Sequence, residues 1–185
     1  MVQKNKGFTL VELLVVIAII SFLSSVVMAA LGDARASARD VRRYNDLAQI
    51  QTALELYRNE YGGYPSTNGN WYTFCTNGSD PVVRETAGAN GYIPNLAPKY
   101  ITELPLDPLG CQPRRYDRGH FSGYIYRSDG KDYKFAGDWT GEKRSSCAQN
   151  SRYWDAGRGE GGTYLDLPIP GIVFCSVSTS GARLW

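Results

Sequence analysis

The stretch Gly7-Phe8-Thr9-Leu10-Val11-Glu12-Leu13-Leu14-Val15-Val16-Ile17-Ala18-Ile19-Ile20 decides how this chain is organised. Residues 13–31 are 19 consecutive positions without a charge, and their only polar side chains are three serines. As a helix rising 1.5 Å per residue, such a run is long enough to cross the hydrocarbon core of a bilayer. Lys4 and Lys6 precede it, which predicts a cytoplasmic N-terminus and an outward C-terminus.

Glu12 is the exception within this apolar stretch. An ionised carboxylate at the membrane edge costs on the order of 2–3 kcal/mol unless it is paired, so Glu12 is a candidate functional residue. The alternative is a harmless glutamate in the membrane interface.

The segment from Gly7 to Ile20 resembles the prepilin signal of type IV pilins and type II secretion pseudopilins. The resemblance implies that residues 1–7 are a leader, that a prepilin peptidase cuts after Gly7, and that the new first residue, Phe8, is N-methylated. It also gives Glu12 a role in assembly. The new amine at Phe8 would pair with Glu12 of the same chain or of a neighbouring subunit, which offsets the cost of burying either charge.

Apolar residues continue at three- and four-residue steps beyond the membrane segment, which predicts an amphipathic helix. We expect one helix from about Phe8 to Tyr61, hydrophobic over residues 8–31 and amphipathic over residues 32–61, because Gly62-Gly63 and Pro65 then stop it. The predicted buried stripe is Leu31, Ala34, Ala38, Val41, Tyr44, Leu47, Ile50, Leu54, Tyr57 and Tyr61. The predicted solvent face carries Arg35, Arg39, Arg43, Asp46 and Gln49.

Residues 62–185 are expected to form a globular α+β head. Residues 54–65 look like the helix exit of pseudopilins, and residues 100–110 are similar to their Leu-Pro-x-Asp-Pro-x-Gly segment, here Leu104-Pro105-Leu106-Asp107-Pro108-Leu109-Gly110. Two prolines fix φ and remove amide donors, so this segment predicts a rigid connector into the sheet.

Residues 123–127 and 132–136 alternate around Asp129-Gly130, which predicts a β-hairpin. Residues 172–177 could add an antiparallel strand, and residues 138–171 predict a long surface loop. The fold class expected is therefore α+β and pilin-like, a long N-terminal helix packed on a small antiparallel sheet.

Four cysteines after a membrane segment predict an oxidising compartment, the alternative being four reduced cytosolic thiols. Three pairings are open. We favour Cys75–Cys111, which closes the loop between helix and sheet. We also favour Cys147–Cys175, which would tie the C-terminal loop much as a disulfide bounds the variable region of many type IV pilins.

Few residues in the sequence predict a metal-binding or catalytic function. Related major pseudopilins bind calcium near the position of Asp129 and Asp132, but two carboxylates fall short of the six to eight oxygens that calcium takes, so a plain turn is the alternative. His120, Ser128 and Ser178 have no partner at catalytic spacing, and we expect neither an enzyme nor another cofactor.

The charge balance limits the partners. Lys plus Arg total 20 and Asp plus Glu 18, and a net charge of +2 argues against nucleic acid, even with the small basic and aromatic cluster at residues 114–120. Removal of Lys4 and Lys6 with the leader would leave 18 of each sign, a balance of 0. Near-neutral copies can stack without repelling one another.

These observations favour a structural subunit of a type IV pilus-like filament, polymerised through the N-terminal helix. The first alternative is a type II secretion pseudopilin, which the segment around Leu104-Pro105 favours, whereas the four cysteines and the C-terminal loop favour a pilin. The second alternative is a membrane-anchored adhesin or binding module that does not polymerise. Expected partners are copies of itself or related pilins, prepilin peptidase, an inner-membrane assembly platform, and lipid before assembly. The precursor would span the cytoplasmic membrane, and the product would be an extracellular pilus or a periplasmic pseudopilus.

Overall fold

The computed structural model describes residues 9–75, 84–113, 121–137, 163–164, 167–168 and 176–182. The chain separates into two compact units, Met1–Ala38 and Arg39–Trp185. One helix, α1 (Leu10–Tyr61), contributes to both. By length and composition alone, α1 is long and apolar enough to cross a membrane.

Helix α1 ends at the predicted position. Gly62 takes a φ of 78°, and its N–H donates to the carbonyl of Arg58 at 2.8 Å, which closes the last turn with a left-handed residue. The last turn of α1 is exposed, and Tyr61, predicted to be buried, is exposed with it. The centroid of its ring lies 4.5 Å from that of Tyr57 and 5.5 Å from the Lys99 Nζ.

Within the residues that the structure describes, four strands form the main antiparallel sheet. They are β1 (Tyr72–Thr73), β4 (Tyr124–Ser128), β5 (Tyr133–Gly137) and β8 (Ser176–Ser178), and their order across the sheet is β1-β4-β5-β8. Two small ladders pair β2 (Gln112–Pro113) with β3 (Phe121–Ser122) and β6 (Thr163–Tyr164) with β7 (Leu167–Pro168).

The predicted hairpin is confirmed, because β4 pairs with β5 from Tyr124↔Gly137 to Ser128↔Tyr133. Strand β8 is antiparallel to β5 but is described only from Ser176, later than the predicted run 172–177. Within the segment predicted as a loop, β6 and β7 form a short ladder. The expected fold class, a long N-terminal helix with a small antiparallel sheet, is confirmed.

The core lies between the C-terminal part of α1 and the sheet. Leu47, Ile50 and Leu54 are almost completely buried in one cluster with Tyr126 and Phe135 of the sheet. Burying such apolar side chains is the main favourable term for folding, at about 1.5–3 kcal/mol each. The helix therefore supplies one layer of the head as well as the N-terminal segment.

Two buried tyrosines of this core form hydrogen bonds with the two proline-containing segments, at Pro65 and at Pro105. The Tyr126 hydroxyl donates to the carbonyl of Pro65 at 2.9 Å, and the Tyr92 hydroxyl donates to the carbonyl of Pro105 at 2.7 Å. A buried tyrosine hydroxyl needs a hydrogen-bond partner, so each ring fixes the position of one turn.

The predicted faces of the helix need two corrections. Arg43 and Asp46, assigned to solvent, are buried, because they lie four residues before the buried Leu47 and Ile50 respectively and so share their side of the helix. The N-terminal end of the predicted stripe is exposed instead. Its four members there are Leu31, Ala34, Ala38 and Val41.

Candidate functional site

The first turn of α1 is closed by a reciprocal hydrogen-bond pair between Thr9 and Glu12. The Glu12 Oε2 accepts from the Thr9 backbone N–H at 2.8 Å and from its hydroxyl at 2.7 Å, and the Glu12 N–H donates to the Thr9 Oγ1 at 3.3 Å. This is a capping box, and it follows from the Thr-x-x-Glu spacing. Glu12 therefore already has a local partner in the isolated chain. Gly7 and Phe8 lie outside the described residues.

The apolar part of α1 is exposed to the surroundings along its length. Ser21 and Ser25 donate their hydroxyls to the carbonyls of Ile17 and Phe22, each at 2.7 Å, so these hydroxyls add no unpaired donor to the apolar surface. The large apolar side chains exposed in this part are Leu10, Val11, Leu13, Leu14, Val15, Val16, Ile17, Ile19, Ile20, Phe22, Leu23, Val26, Val27, Met28 and Leu31. A surface of this size must be covered by lipid or by other apolar helices.

A buried ion pair joins α1 to the Leu-Pro-x-Asp-Pro segment within the head. The Arg43 Nε donates to Asp107 Oδ2 at 2.7 Å, and its Nη2 donates to Oδ1 at 3.2 Å. Its Nη1 reaches Asp40 at 2.6 Å. Bidentate arginine–carboxylate contacts fix geometry as well as charge. Asp107 is thus the residue that attaches its turn to the helix.

The same turn is held from its other side. Asp107 Oδ1 also accepts from the Leu109 N–H at 2.8 Å, and the Gly110 N–H donates to the Asp107 carbonyl at 2.8 Å. Gly110 has a φ of 68°, which other residues rarely adopt. The turn is consequently rigid, and it presents Leu109 at the surface.

Asp46 is a second buried carboxylate on this side of α1. It accepts from the Tyr124 hydroxyl at 2.7 Å. Burial raises the pKa of Asp46 above its usual value, although the hydrogen bond from Tyr124 and the charges of Arg42 and Arg43 act in the opposite direction. Burial, and then Asp46, raise the pKa of Tyr124 far above the usual tyrosine range.

Sequence reasoning missed this polar cluster. The signal was available, because the arginine at 43 is in phase with the apolar positions 47, 50 and 54 of the helix. A charged residue in phase with a buried stripe indicates a buried partner, and an aspartate between two prolines was a candidate for it.

The carboxylate of Asp129 accepts hydrogen bonds from backbone amides of its own turn. Its Oδ1 accepts from the N–H groups of Lys131 at 2.9 Å and Asp132 at 2.8 Å, and these amides hold the pKa of Asp129 below its usual value. Asp132 lies so close to Gly181 that a Cβ there would sit 2.2 Å from its Oδ2. Among the residues that the structure describes, no three His, Cys, Asp or Glu side chains group as a metal site, and calcium at Asp129 and Asp132 stays a prediction.

Cys75 and Cys111 form a disulfide, which links the chain after β1 to the start of β2. Gly123 packs directly on it, since a Cβ at this position would lie 2.7 Å from the Cys75 Sγ. Cys147 and Cys175 lie outside the described residues.

Comparison with known proteins agrees with this arrangement. The prokaryotic N-terminal methylation motif matches residues 2–28. The type II secretion system core protein G of Escherichia coli K12 is 30% identical over 130 residues, covering 70% of this chain and 84% of that protein. The proteins of the same name from Pseudomonas aeruginosa and Vibrio cholerae are 29% and 27% identical over 140 and 142 residues, covering 70% and 75% of this chain and 88% and 89% of theirs.

No solved structure matches the chain significantly. The prepilin-type N-terminus, the long helix with its small antiparallel head, and the similarity over most of the length of these relatives lead to one conclusion: the chain belongs to the type II secretion system core protein G family of pseudopilins.

Proposed function

We propose that this chain is a pseudopilin, a non-catalytic subunit of a short periplasmic filament that serves a type II secretion system. The observation that carries the proposal is the 30% identity to the Escherichia coli core protein G, which covers 84% of that protein and therefore includes both helix and head. This interpretation replaces the type IV pilus subunit as the first choice.

The exposed apolar half of α1 supplies the means of assembly. Before assembly, lipid covers the side chains of residues 10–31, and in the filament the same surface packs against copies of itself. Prepilin peptidase would cut after Gly7 and methylate Phe8. The new amine at Phe8 would then compete with Thr9 for the carboxylate of Glu12, which the capping box holds at the helix start.

A type IV pilus subunit is the second candidate. Two sequence features favour it: four cysteines, and residues 138–171, which extend the chain before its last strand. The two candidates differ in the location of the filament, periplasm or cell surface, and in whether protein secretion fails when the filament is absent.

The test uses the full-length chain in its own cells. Filaments are labelled with an antibody against the head and imaged by electron microscopy. The export of secreted enzymes is measured before and after deletion of the gene. Short periplasmic filaments, with exported enzymes retained in the periplasm of the deletion strain, are the expected result. A Gly7→Val variant, which blocks cleavage, serves as the membrane-retained control. Long surface filaments labelled along their length, with unimpaired secretion, would establish the pilus instead.

A further inference from the structure

The four-stranded sheet of the head is buried on both of its faces. On the face that packs against α1, Tyr126 and Phe135 belong to the hydrophobic core cluster. Ile125 and Ala136 alternate with them along β4 and β5 and pair with each other, so they lie on the opposite face. They are 7% and 0% exposed, although they are not members of that cluster. Other residues of the chain therefore cover this opposite face, which we call the outer face.

The outer face carries a buried cation. Lys134 is 0% exposed, and its cross-strand neighbour is Arg127. Like charges placed opposite each other in a sheet repel, and a buried ammonium group is strongly unfavourable unless a carboxylate pairs with it. Asp132, two residues earlier, directs its carboxylate elsewhere, because its two oxygens lie 2.2 and 2.8 Å from the position of a Cβ on Gly181. The burial of Lys134 therefore calls for a carboxylate from the residues that cover the outer face.

Residues that the structure describes lie against one half of the outer face, the half formed by β1 and β4. Gly123, which precedes β4, lies beneath the disulfide, since a Cβ there would sit 2.7 Å from the Cys75 Sγ. The guanidinium carbon of Arg127 lies 5.7 Å from the centroid of the Trp71 ring. The other half, formed by β5 and β8, includes the buried Lys134.

The connection between β5 and β8 is attached to the sheet at this second half. Strand β5 ends at Gly137, β8 begins at Ser176, and Ala136 pairs with Ser176, so the connection leaves and re-enters the sheet at neighbouring positions. Residues 138–162, its part before β6, lie outside the described ranges. Their sequence combines aromatic and acidic side chains: Trp139, Tyr153 and Trp154 with Glu142, Asp155 and Glu160. These residue types complement a face that combines apolar side chains with a buried cation.

We propose that residues 138–162 pack on the β5 and β8 half of the outer face, and that Glu142, Asp155 or Glu160 pairs with Lys134. Asp138 directly follows β5 and is too close to its end to fold back onto Lys134. The segment closes the outer face to other copies of the chain, which must contact the head elsewhere. The inference does not rest on the proposed filament function.

The first test measures how fast an N-hydroxysuccinimide ester of acetic acid acetylates each lysine of the full-length protein in detergent, with mass spectrometry as the readout. In one variant a short glycine–serine linker replaces residues 139–162, and Cys175→Ser is added because Cys147 is lost with the segment. Lys134 should react slowly in the unaltered protein and at least about tenfold faster in this variant, which uncovers it. The exposed Lys131 is the internal control and should react equally fast in both proteins.

Two outcomes of this test would overturn the proposal. The first is a linker variant that still unfolds cooperatively in urea but keeps Lys134 as slow as before, because another part of the chain would then cover this residue. The second is a Lys134 that reacts as fast as Lys131 in the unaltered protein, because the outer face would then be open.

The second test needs no deletion and decides the matter even where the linker variant does not fold. Glu142→Gln, Asp155→Asn and Glu160→Gln are made singly, both in the unaltered protein and together with Lys134→Met, and urea unfolding gives the folding equilibrium constant. One of the three should lower this constant by at least about tenfold when Lys134 is present, because the buried cation then loses its partner. In the Lys134→Met background the same substitution should change it by less than about twofold.

Asp132→Asn is the matched control for this cycle. It removes a carboxylate that neighbours Lys134 in sequence but lies against Gly181, so its effect should be the same with and without Lys134. The proposal is overturned if none of the three substitutions in residues 138–162 depends on Lys134, or if Asp132→Asn alone does.

Discussion

The two units of this chain differ in which side chains they leave exposed to the surroundings. In the first unit, the large apolar side chains that the structure describes between Leu10 and Leu31 are exposed. In the second, Arg43, Asp40 and Asp107 are withdrawn from water, although each is charged. In the head, the buried charged side chains are paired with one another. The exposed apolar side chains of the N-terminal helix are removed from water only by contact with lipid or with other copies of the chain. The head is therefore stable through its own contacts, whereas the apolar segment of α1 is the part that we propose drives assembly.

Removal of the buried arginine should have the largest effect on the head. Arg43→Leu removes the cation that both Asp40 and Asp107 contact and should lower the free energy of unfolding by about 3–5 kcal/mol. Urea unfolding of the purified full-length protein in detergent, followed by tyrosine fluorescence, measures the change. The neighbouring Arg42→Leu removes the same charge at an exposed position and should change it by less than about 0.5 kcal/mol. Equal losses from both variants would contradict the internal pairing.

Alanine substitution of one glycine in each unit compares the stability of the two units directly. A Cβ on Gly63 would lie 2.6 Å from the backbone carbonyl oxygen of Gly130, so Gly63→Ala should cost the head about 2 kcal/mol. A Cβ on Gly32 meets nothing within 4 Å. Gly32→Ala should instead favour the helix by up to about 1 kcal/mol and leave unfolding of the head unchanged. The same urea experiment measures both, and a destabilised head in the Gly32 variant would break the separation between the units.

Substitutions of Glu12 test the proposed role of the first unit in filament assembly. Glu12→Ala should leave cleavage after Gly7 largely intact but lower the yield of sheared filaments by about tenfold, the change that about 1.4 kcal/mol makes in an equilibrium constant. Glu12→Gln keeps an acceptor for the Thr9 N–H but not the charge, so it should preserve the helix start and still assemble poorly. Filament yields at the level of the unaltered protein in either variant would remove Glu12 from the assembly mechanism.

The smallest effect is expected at Asp46. Because burial raises its pKa in the folded state, the folded protein binds a proton more readily than the unfolded chain, and this residue's contribution to stability falls as pH rises through the raised pKa. Asp46→Asn keeps an acceptor for Tyr124 and should stabilise the head at pH 7 by up to about 1 kcal/mol. The difference between variant and unaltered protein should shrink on acidification towards pH 4. A difference that is independent of pH would exclude titration of Asp46.

The sequence predicted the parts of the fold that depend on local pattern. Leu47, Ile50 and Leu54 follow the helical period and are buried, and the alternation around Asp129-Gly130 forms the hairpin. Strand β1 was missed because two residues carry no detectable alternation; Tyr72 and Thr73 pair only because β4 lies beside them.

The buried polar cluster could not be predicted in the same way. Assigning Arg43 and Asp46 to solvent assumed that charge marks the exposed face, and this fails when a distant residue supplies the partner. Asp107, one of the two aspartates that Arg43 contacts, lies 64 positions further along the chain, a separation at which periodicity carries no information. The Thr-x-x-Glu spacing at the helix start, by contrast, is local, and it would have predicted the capping box.

The tyrosines that fasten the proline turns also make the head an optical reporter. None of the 13 tyrosines and four tryptophans precedes Tyr44, so the tyrosine and tryptophan absorbance and fluorescence arise from the second unit only. Burial raises the pKa of Tyr126 far above the usual range, as it does that of Tyr124, so these two rings should ionise when the core opens. The part of the tyrosinate absorbance that these buried rings contribute in alkali therefore times the opening of the head without any label, even while the apolar helix is held in detergent, lipid or a filament.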